Sequence, residues 1–371
     1  MRDWGAVRAE FPSLRGRTFL NAATFGQLPT RTKEAAMAHF ERRDETAALD
    51  FLEWFDDLDK TRARVARLIH AAADDIAFVP NAGYALALAI SSIDWQADDE
   101  LLTLHHEFPN QLYAHAVAGA KAVECDWHEI EAHVSERTRL VALSTVNYTT
   151  GLRLDLATVV KELRKRGIVV YLDGTQSVGA LEFDCSSIAA DFLAVDAYKW
   201  LISPNGAAFL YVHPEMRKRL PPNTVGWRSD YDWRNVSNLH HGAPRFGETA
   251  EKYEPGMMPF ASLYGMDASL CLIEEIGTAH IEKRVLALAG LLRSELTGMG
   301  AEFYQSKGAC LPSQIVTATL PGVDSATLAK KLAEQMINIS ARRAYLRISP
   351  HFYNNEDDVA ALLSAIHKLH S

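Results

Sequence analysis

An acid and a lysine stand out as residues whose types and spacing could do chemistry together. Asp173 closes the apolar run Ile168-Val169-Val170-Tyr171-Leu172. Lys199 follows the next such run, Phe192-Leu193-Ala194-Val195, inside the segment Ala197-Tyr198-Lys199-Trp200-Leu201. A lysine among aromatic and apolar neighbours is costly to bury with its charge unpaired. Burial lowers its pKa, which is what imine formation with an aldehyde requires. An Asp at the neighbouring strand end can keep a pyridine nitrogen protonated and so make the ring an electron sink. The pair fits pyridoxal 5'-phosphate (PLP). Each residue alone has an ordinary alternative, a snorkelling lysine or an aspartate capping a helix.

Both residues need strand ends to hold them, and the surrounding pattern supplies these. Between residues 76 and 212, short apolar or β-branched runs predict strands over 76–79, 101–104, around Val123, and over 140–143, 168–172, 192–195 and 207–212. Helical stretches lie between them over 84–90, 110–118, 127–134 and 156–166, the last followed by Gly167 as its C′ residue. Such alternation implies an α/β fold, a large domain whose mostly parallel sheet is covered by helices on both faces. Ligands in such sheets bind beyond the carboxyl ends of the strands. Residues 221–259 are rich in Gly, Pro, Trp, His and Asn and lack periodicity, as functional or interface-forming segments do. A long connecting helix is expected over 261–296. A small C-terminal α+β domain follows, with strands over 314–319 and 346–348 and helices over 325–336 and 356–369. The expected division is a segment 1–20 packing on the small domain, a large PLP-binding domain 21–259, and a small domain 260–371.

The 371 residues carry 38 Lys+Arg against 47 Asp+Glu, a formal charge of −9, which argues against a nucleic-acid partner. The start, Met1-Arg2-Asp3-Trp4-Gly5, has no apolar run of a secretory signal, and no apolar stretch approaches the roughly 20 residues of a membrane span. Cys125, Cys185, Cys271 and Cys310 are scattered without a CxxC pair, consistent with reduced thiols in the cytoplasm. His128-Glu129-Ile130-Glu131-Ala132-His133 spaces its histidines one position too far for a zinc-binding helix face. The pairs His105-His106 and His240-His241 would point to opposite faces of a strand, so no metal site is expected.

The segments Asp173-Gly174-Thr175-Gln176-Ser177-Val178-Gly179 and Ala197-Tyr198-Lys199-Trp200-Leu201 resemble those of the class V aminotransferases. This family of fold-type I PLP enzymes includes cysteine desulfurases, kynureninases and isopenicillin-N-epimerase-like proteins. The resemblance runs from Phe11 and Asn21 to Tyr353-Asn354, with several motifs in the expected order. It implies that Lys199 holds PLP as a Schiff base and shuttles the α-proton, with Asp173 on the pyridine nitrogen and Gln176 near the phenolic oxygen. Val79-Pro80-Asn81-Ala82-Gly83 matches the turn whose backbone N–H groups, at Ala82 and Gly83, hold the phosphate at a helix N-terminus. The family often has a threonine where Gly83 stands.

Further matches extend the site. Glu107-Phe108-Pro109-Asn110-Gln111 implies that Phe108 stacks on the ring, and Val146-Asn147-Tyr148 leaves Asn147 or Tyr148 near the phenolic oxygen. Tyr198 would donate to the phosphate. Asp196, where desulfurases have a serine, is an odd charge beside a phosphate and is expected to point away. Val225-Gly226-Trp227 and Tyr253-Glu254-Pro255-Gly256-Met257 resemble segments that reach the partner subunit's phosphate, so Trp227 and Gly256 imply a homodimer with shared sites. Leu346-Arg347-Ile348-Ser349-Pro350 matches the segment whose arginine, here Arg347, clamps the substrate's α-carboxylate, with Arg342 assisting. The motifs leave the reaction open: transamination of an amino acid heads the expectations, ahead of a C–S or C–C lyase or hydrolase, an epimerase, and a non-catalytic member. No cysteine lies between Gln335 and Arg347, which disfavours a desulfurase.

Overall fold

The computed structural model describes residues 3–239, 242–305, 307–308 and 310–370, so the pair His240-His241 lies outside the described residues. The chain opens with α1 (Trp4–Ala9), whose first turn is capped by the Asp3 carboxylate, then β1 (Thr18–Phe19), α2 (Thr30–Thr46) and α3 (Phe51–Leu68). The alternating region follows as β2 (Ile76–Val79), α4 (Ala82–Ser91), β3 (Glu100–Leu104), α5 (Pro109–Ala118), β4 (Lys121–Cys125), α6 (Ile130–His133) and β5 (Thr138–Ser144). It continues through α7 (Leu156–Lys165), β6 (Val169–Asp173), α8 (Cys185–Ile188), β7 (Phe192–Asp196), β8 (Ala208–Val212) and α9 (Pro214–Arg219).

These strands form one sheet in the order β2-β8-β7-β6-β5-β3-β4, parallel throughout except for β8, which runs antiparallel to both neighbours. The two-residue period of the strands divides their side chains between two cores. Leu102, Val141, Leu143, Val170, Leu172, Leu193 and Val195 face one core, while Leu101, Leu140, Ala142, Tyr171, Phe192 and Ala194 face the other. Both faces being covered explains why the central strands read as unbroken apolar runs.

After an irregular stretch come α10 (Phe260–Ile276) and α11 (Thr278–Gly298), followed by β9 (Glu302–Phe303), β10 (Val316–Thr319), α12 (Ser325–Glu334), β11 (Ile337–Asn338), β12 (Ser340–Arg342), β13 (Tyr345–Ile348) and α13 (Glu356–His370). The continuous helix expected over 261–296 is instead two. Gly277, at φ +86, breaks it and donates its N–H back to the Ile273 carbonyl, the left-handed exit that glycine makes cheaply. Leu263, Met266, Leu270 and Ile273 of α10 lie in the core that also holds Trp54, Phe55 and Leu58 of α3. Leu288, Leu292 and Leu296 of α11 lie in a separate core beneath the antiparallel sheet β12-β13-β10-β9. The helix expected over 127–134 is a 3-10 turn (Trp127–Glu129) followed by the short α6.

The two ends of the chain meet. Leu20 is buried in the small-sheet core and β1 pairs in parallel with β11. Phe11 packs on Tyr353 at 4.7 Å between ring centroids, and Arg8 pairs with Asp358 at 2.8 Å. Among the described residues no helix is long and apolar enough to cross a membrane.

Candidate active site

The site forms at the carboxyl ends of β5, β6 and β7, where parallel strands leave their last residues facing a common crevice. Asp173 ends β6 in register with Ser144 of β5 and Ala194 of β7. Its Oδ1 accepts the Thr175 N–H at 2.9 Å and its Oδ2 accepts from Gln111 Nε2 at 3.4 Å, which fixes the carboxylate plane. Lys199 stands in the turn after β7 and is 7% exposed. Its Nζ lies 5.7 Å from the centre of the Phe108 ring and 5.4 Å from that of Tyr198. It has no salt bridge with a carboxylate among the described residues. Burial pulls its pKa below the usual lysine range, Asp173 and Asp196 oppose that, and Arg347 and Arg342 add to it.

The turn that carries Lys199 is held from outside the sheet. Gly26 donates its N–H to the Tyr198 carbonyl at 2.9 Å. A Cβ at position 26 would come within 1.9 Å of the Lys199 carbonyl oxygen, so only glycine fits there. On the far side, Phe25 packs on the Tyr198 ring at 5.0 Å.

Three further polar side chains join Asp173. Glu107 Oε1 accepts the Ser144 N–H at 2.7 Å, and its Oε2 accepts from Ser144 Oγ at 2.5 Å and from the Phe108 N–H at 3.2 Å. Gln111 Nε2 also reaches Ser144 Oγ at 3.2 Å, while Gln111 Oε1 is buried with no partner among the described residues. Burial pushes the Glu107 carboxyl up to about 7 against the donors around it. Glu107 and Gln111 were visible in the sequence only as neighbours of Phe108. Nothing in an apolar–polar pattern marks a fully buried polar cluster, because its members stand where the pattern asks for apolar residues.

The amides expected near the ring's phenolic oxygen are engaged within the chain. Gln176 Nε2 donates to the Ala23 carbonyl at 2.9 Å, and its Oε1 accepts from Trp200 Nε1 at 2.8 Å. Asn147 Oδ1 accepts from the N–H groups of Thr149 and Thr150, and its Nδ2 donates to the His106 carbonyl at 3.0 Å. Tyr148 stands edge-on to Phe108, 5.2 Å away at 87°.

Opposite these lies the start of α4. Asn81 Oδ1 caps it by accepting the Tyr84 N–H at 2.9 Å, and Gly83 N–H has no partner among the described residues. The Ala82 N–H is taken by Asp196 Oδ1 at 2.9 Å. Contrary to the expectation from its charge, Asp196 points toward this helix terminus. A carboxylate is drawn to the unpaired N–H groups and positive dipole end of a helix just as a phosphate is. Burial first, and then the neighbouring Asp173, raise its pKa to about 6.

Arg347 lies on β13, opposite Thr317 and Ser340. It is 1% exposed, yet it has no carboxylate partner among the described residues. Its donors meet Ser340 Oγ at 3.0 Å, the Tyr148 carbonyl at 2.6 Å and Thr24 Oγ1 at 2.5 Å. Burial, then Arg342, pulls its pKa down to about 9. A buried guanidinium supplied only with neutral acceptors is prepared for an anion.

Trp227 and Gly256 sit together but belong to a different cluster. Trp227 packs on Phe55 and Trp233, and Arg228 beside it donates to the Gly256 carbonyl at 3.3 Å. At its centre the fully buried Glu254 accepts from Arg62 at 2.6 Å, Arg228 at 3.0 Å and the Phe78 N–H at 2.7 Å, tying this segment to β2.

The family model "Aminotransferase class-V" matches residues 44–362. An uncharacterized aminotransferase of Bacillus subtilis, YcbU, is 24% identical over 97% of this chain and 96% of its own length. Isopenicillin N epimerase of Streptomyces clavuligerus is 30% identical over 97% of this chain and 98% of its own. Among solved structures, C-DES, with glycine covalently linked to its PLP cofactor, superposes with a TM-score of 0.87 at 23% identity, covering 98% of each chain. The family model spans most of the chain and the relatives match it nearly end to end, so the chain that sets a buried lysine and an acid at adjacent strand ends belongs to the class V aminotransferases, a family of PLP-dependent enzymes.

Proposed function

We propose that the protein is an aminotransferase that acts on an amino acid through a Schiff base on Lys199. The observation that carries this reading is the buried Lys199 amine between two aromatic rings, one strand away from a carboxylate whose both oxygens are fixed by donors. When bound, PLP supplies an electron sink for a carbanion at the substrate's α-carbon. The chain's own residues do the rest. Asp173 would hold the proton on the pyridine nitrogen, and Phe108 would pack on the ring. Ala82, Gly83 and Tyr198 would hold the phosphate, with Gln176 and Asn147 bracing the loops beside the ring. Arg347 pairs with the substrate carboxylate and so presents the α-hydrogen toward the Lys199 amine, which moves it.

We assign the working unit as a homodimer in the cytoplasm, with Trp227 and Gly256 reaching the partner's site. Support comes from the exposed apolar side chains Met37, Phe40, Leu49 and Met257, and from four free cysteines suited to a reducing compartment. Residues 335–347, where a desulfurase would carry its cysteine loop, are taken up by β11, β12 and the tight turn at Arg343-Ala344.

The test is the visible spectrum of the purified protein before and after borohydride, followed by a scan of L-amino acids. A yellow band trapped on Lys199, and keto-acid release that requires an acceptor, are the expected results. Lys199→Ala should abolish both, with turnover falling by at least about a thousandfold. Unchanged turnover in that variant would overturn the assignment. The 30% identity to an epimerase favours a second reading, inversion at the α-carbon. Formation of the D-enantiomer with solvent deuterium incorporated, and no keto acid, would establish it instead.

A further inference from the structure

The start of α4 is a ten-residue helix's anion site with an anion of the protein's own already in it. Of the first-turn donors, the Ala82 N–H goes to Asp196, the Tyr84 N–H goes to the Asn81 cap, and the Gly83 N–H is unpartnered among the described residues. Gly83 has no side chain to fill the space, and the Asn110 amide lies 3.5 Å from where its Cβ would stand. Asp196 is fixed here from two sides, by its carboxylate on Ala82 and by its N–H on Thr175 Oγ1 at 3.0 Å. A phosphate cannot share the Ala82 N–H with a carboxylate oxygen at hydrogen-bond distance while both are ionised, because like charges at that range are strongly repulsive.

Resting on the PLP reading above, we propose that Asp196 is a resident anion at the phosphate cradle. PLP is then taken up together with one proton, which neutralises the Asp196 carboxyl and turns it into a donor to a phosphate oxygen. The proton comes from solvent, the Asp196–Ala82 hydrogen bond breaks, and an Asp196 O–H···phosphate bond forms. The titratable groups around the carboxyl favour this direction. Asp173 on β6 repels it, and among the described residues the Lys199 amine opposes this. The phenols of Tyr171, which donates to the Ala82 carbonyl at 3.0 Å, and of Tyr198 have raised pKa values and stay neutral. On α4 itself the titratable side chain is the Tyr84 phenol. A phosphate dianion arriving beside an already strained carboxylate raises its proton affinity further, so binding and protonation reinforce each other.

The consequence is a cofactor affinity that falls as the medium becomes alkaline. Apoprotein should be titrated with PLP at about pH 6 and about pH 8.5, with the dissociation constant read from cofactor absorbance and tryptophan quenching, for wild type, Asp196→Asn and Asp196→Ser. Wild type should weaken more steeply than either variant, by up to about tenfold per pH unit for the one proton involved. At the higher pH both variants should bind PLP at least about tenfold more tightly than wild type, and with one less proton taken up. Pyridoxal, which lacks the phosphate, should bind all three proteins alike. Equal PLP affinities at about pH 8.5, or the same gain for pyridoxal, would overturn the proposal. If wild type and both variants all fail to take up PLP, the cofactor reading itself falls, a result distinct from either.

Discussion

Among the described residues Glu107 has no salt bridge, and its hydrogen bonds come from Ser144 and from the backbone of Phe108. Its carboxyl, raised from 4.5 to about 7 mainly by burial, is easier to protonate in the folded chain than in the unfolded one. The stability it contributes is therefore full below about pH 4.5 and is lost as the pH rises through about 7. Glu107→Gln should remove this slope. Denaturant unfolding of the apoprotein at pH 5 and pH 8 should show wild type losing about 2 kcal/mol more than the variant, by the usual 1.4 kcal/mol per pKa unit over the part of the shift that this window spans. An identical loss in both proteins would show that the carboxyl does not titrate in this window. At this scale the sequence marked out Asp173 and Lys199 by type, because an acid and a lysine are conspicuous in apolar runs, and Arg347 through the resemblance of its segment. It did not reveal Gln111, Ser144 or the direction of the Asp196 side chain, since those depend on contacts between strands far apart in sequence.

At the scale of elements, what was legible follows from periodicity. Each strand of the large sheet was expected within a residue or two, because the central strands, buried on both faces, are unbroken apolar runs bounded by helical stretches, while the exposed edge strand β4 was marked only around Val123. The break at Gly277 escaped notice because α10 and α11 carry compatible apolar stripes on either side of a single glycine. The sequence was equally silent on Gly26, which reads as one small residue in an irregular stretch. Its importance comes from the Lys199 carbonyl lying where a side chain would go. Gly26→Ala should cost about 2 kcal/mol of stability by overpacking, and should lower the fraction of chains that borohydride labels, since the turn carrying Lys199 must shift. Gly290→Ala, in a helix with nothing within 4 Å of the new methyl, should instead be neutral or slightly stabilising and leave labelling intact. Equal behaviour of the two variants would detach Gly26 from the lysine.

For the whole molecule, the apolar groove between α2, α3 and the segment before α10 is the feature on which the proposed dimer rests. Phe40, 49% exposed, and Met257, 57% exposed, line it together with Phe51 and Trp54. Phe40→Glu should dissociate the proposed dimer and reduce activity at working concentration by about tenfold or more, as seen by sedimentation and turnover on the same samples. A fully active monomer would sink the shared-site arrangement. The meeting of the chain's two ends has a consequence of another kind. Asp173, Lys199 and the start of α4 all lie in or beside the sheet built from the first 212 residues. Arg347, by contrast, takes its place against Thr24 and the Tyr148 carbonyl only when β13 is present, and Phe11 and Arg8 find Tyr353 and Asp358 still later in the chain. The order of the chain thus separates two parts of the proposed site: during synthesis on the ribosome the strand ends that carry Asp173 and Lys199 emerge well ahead of β13, so the proposed carboxylate clamp at Arg347 is completed later than the proposed cofactor cradle.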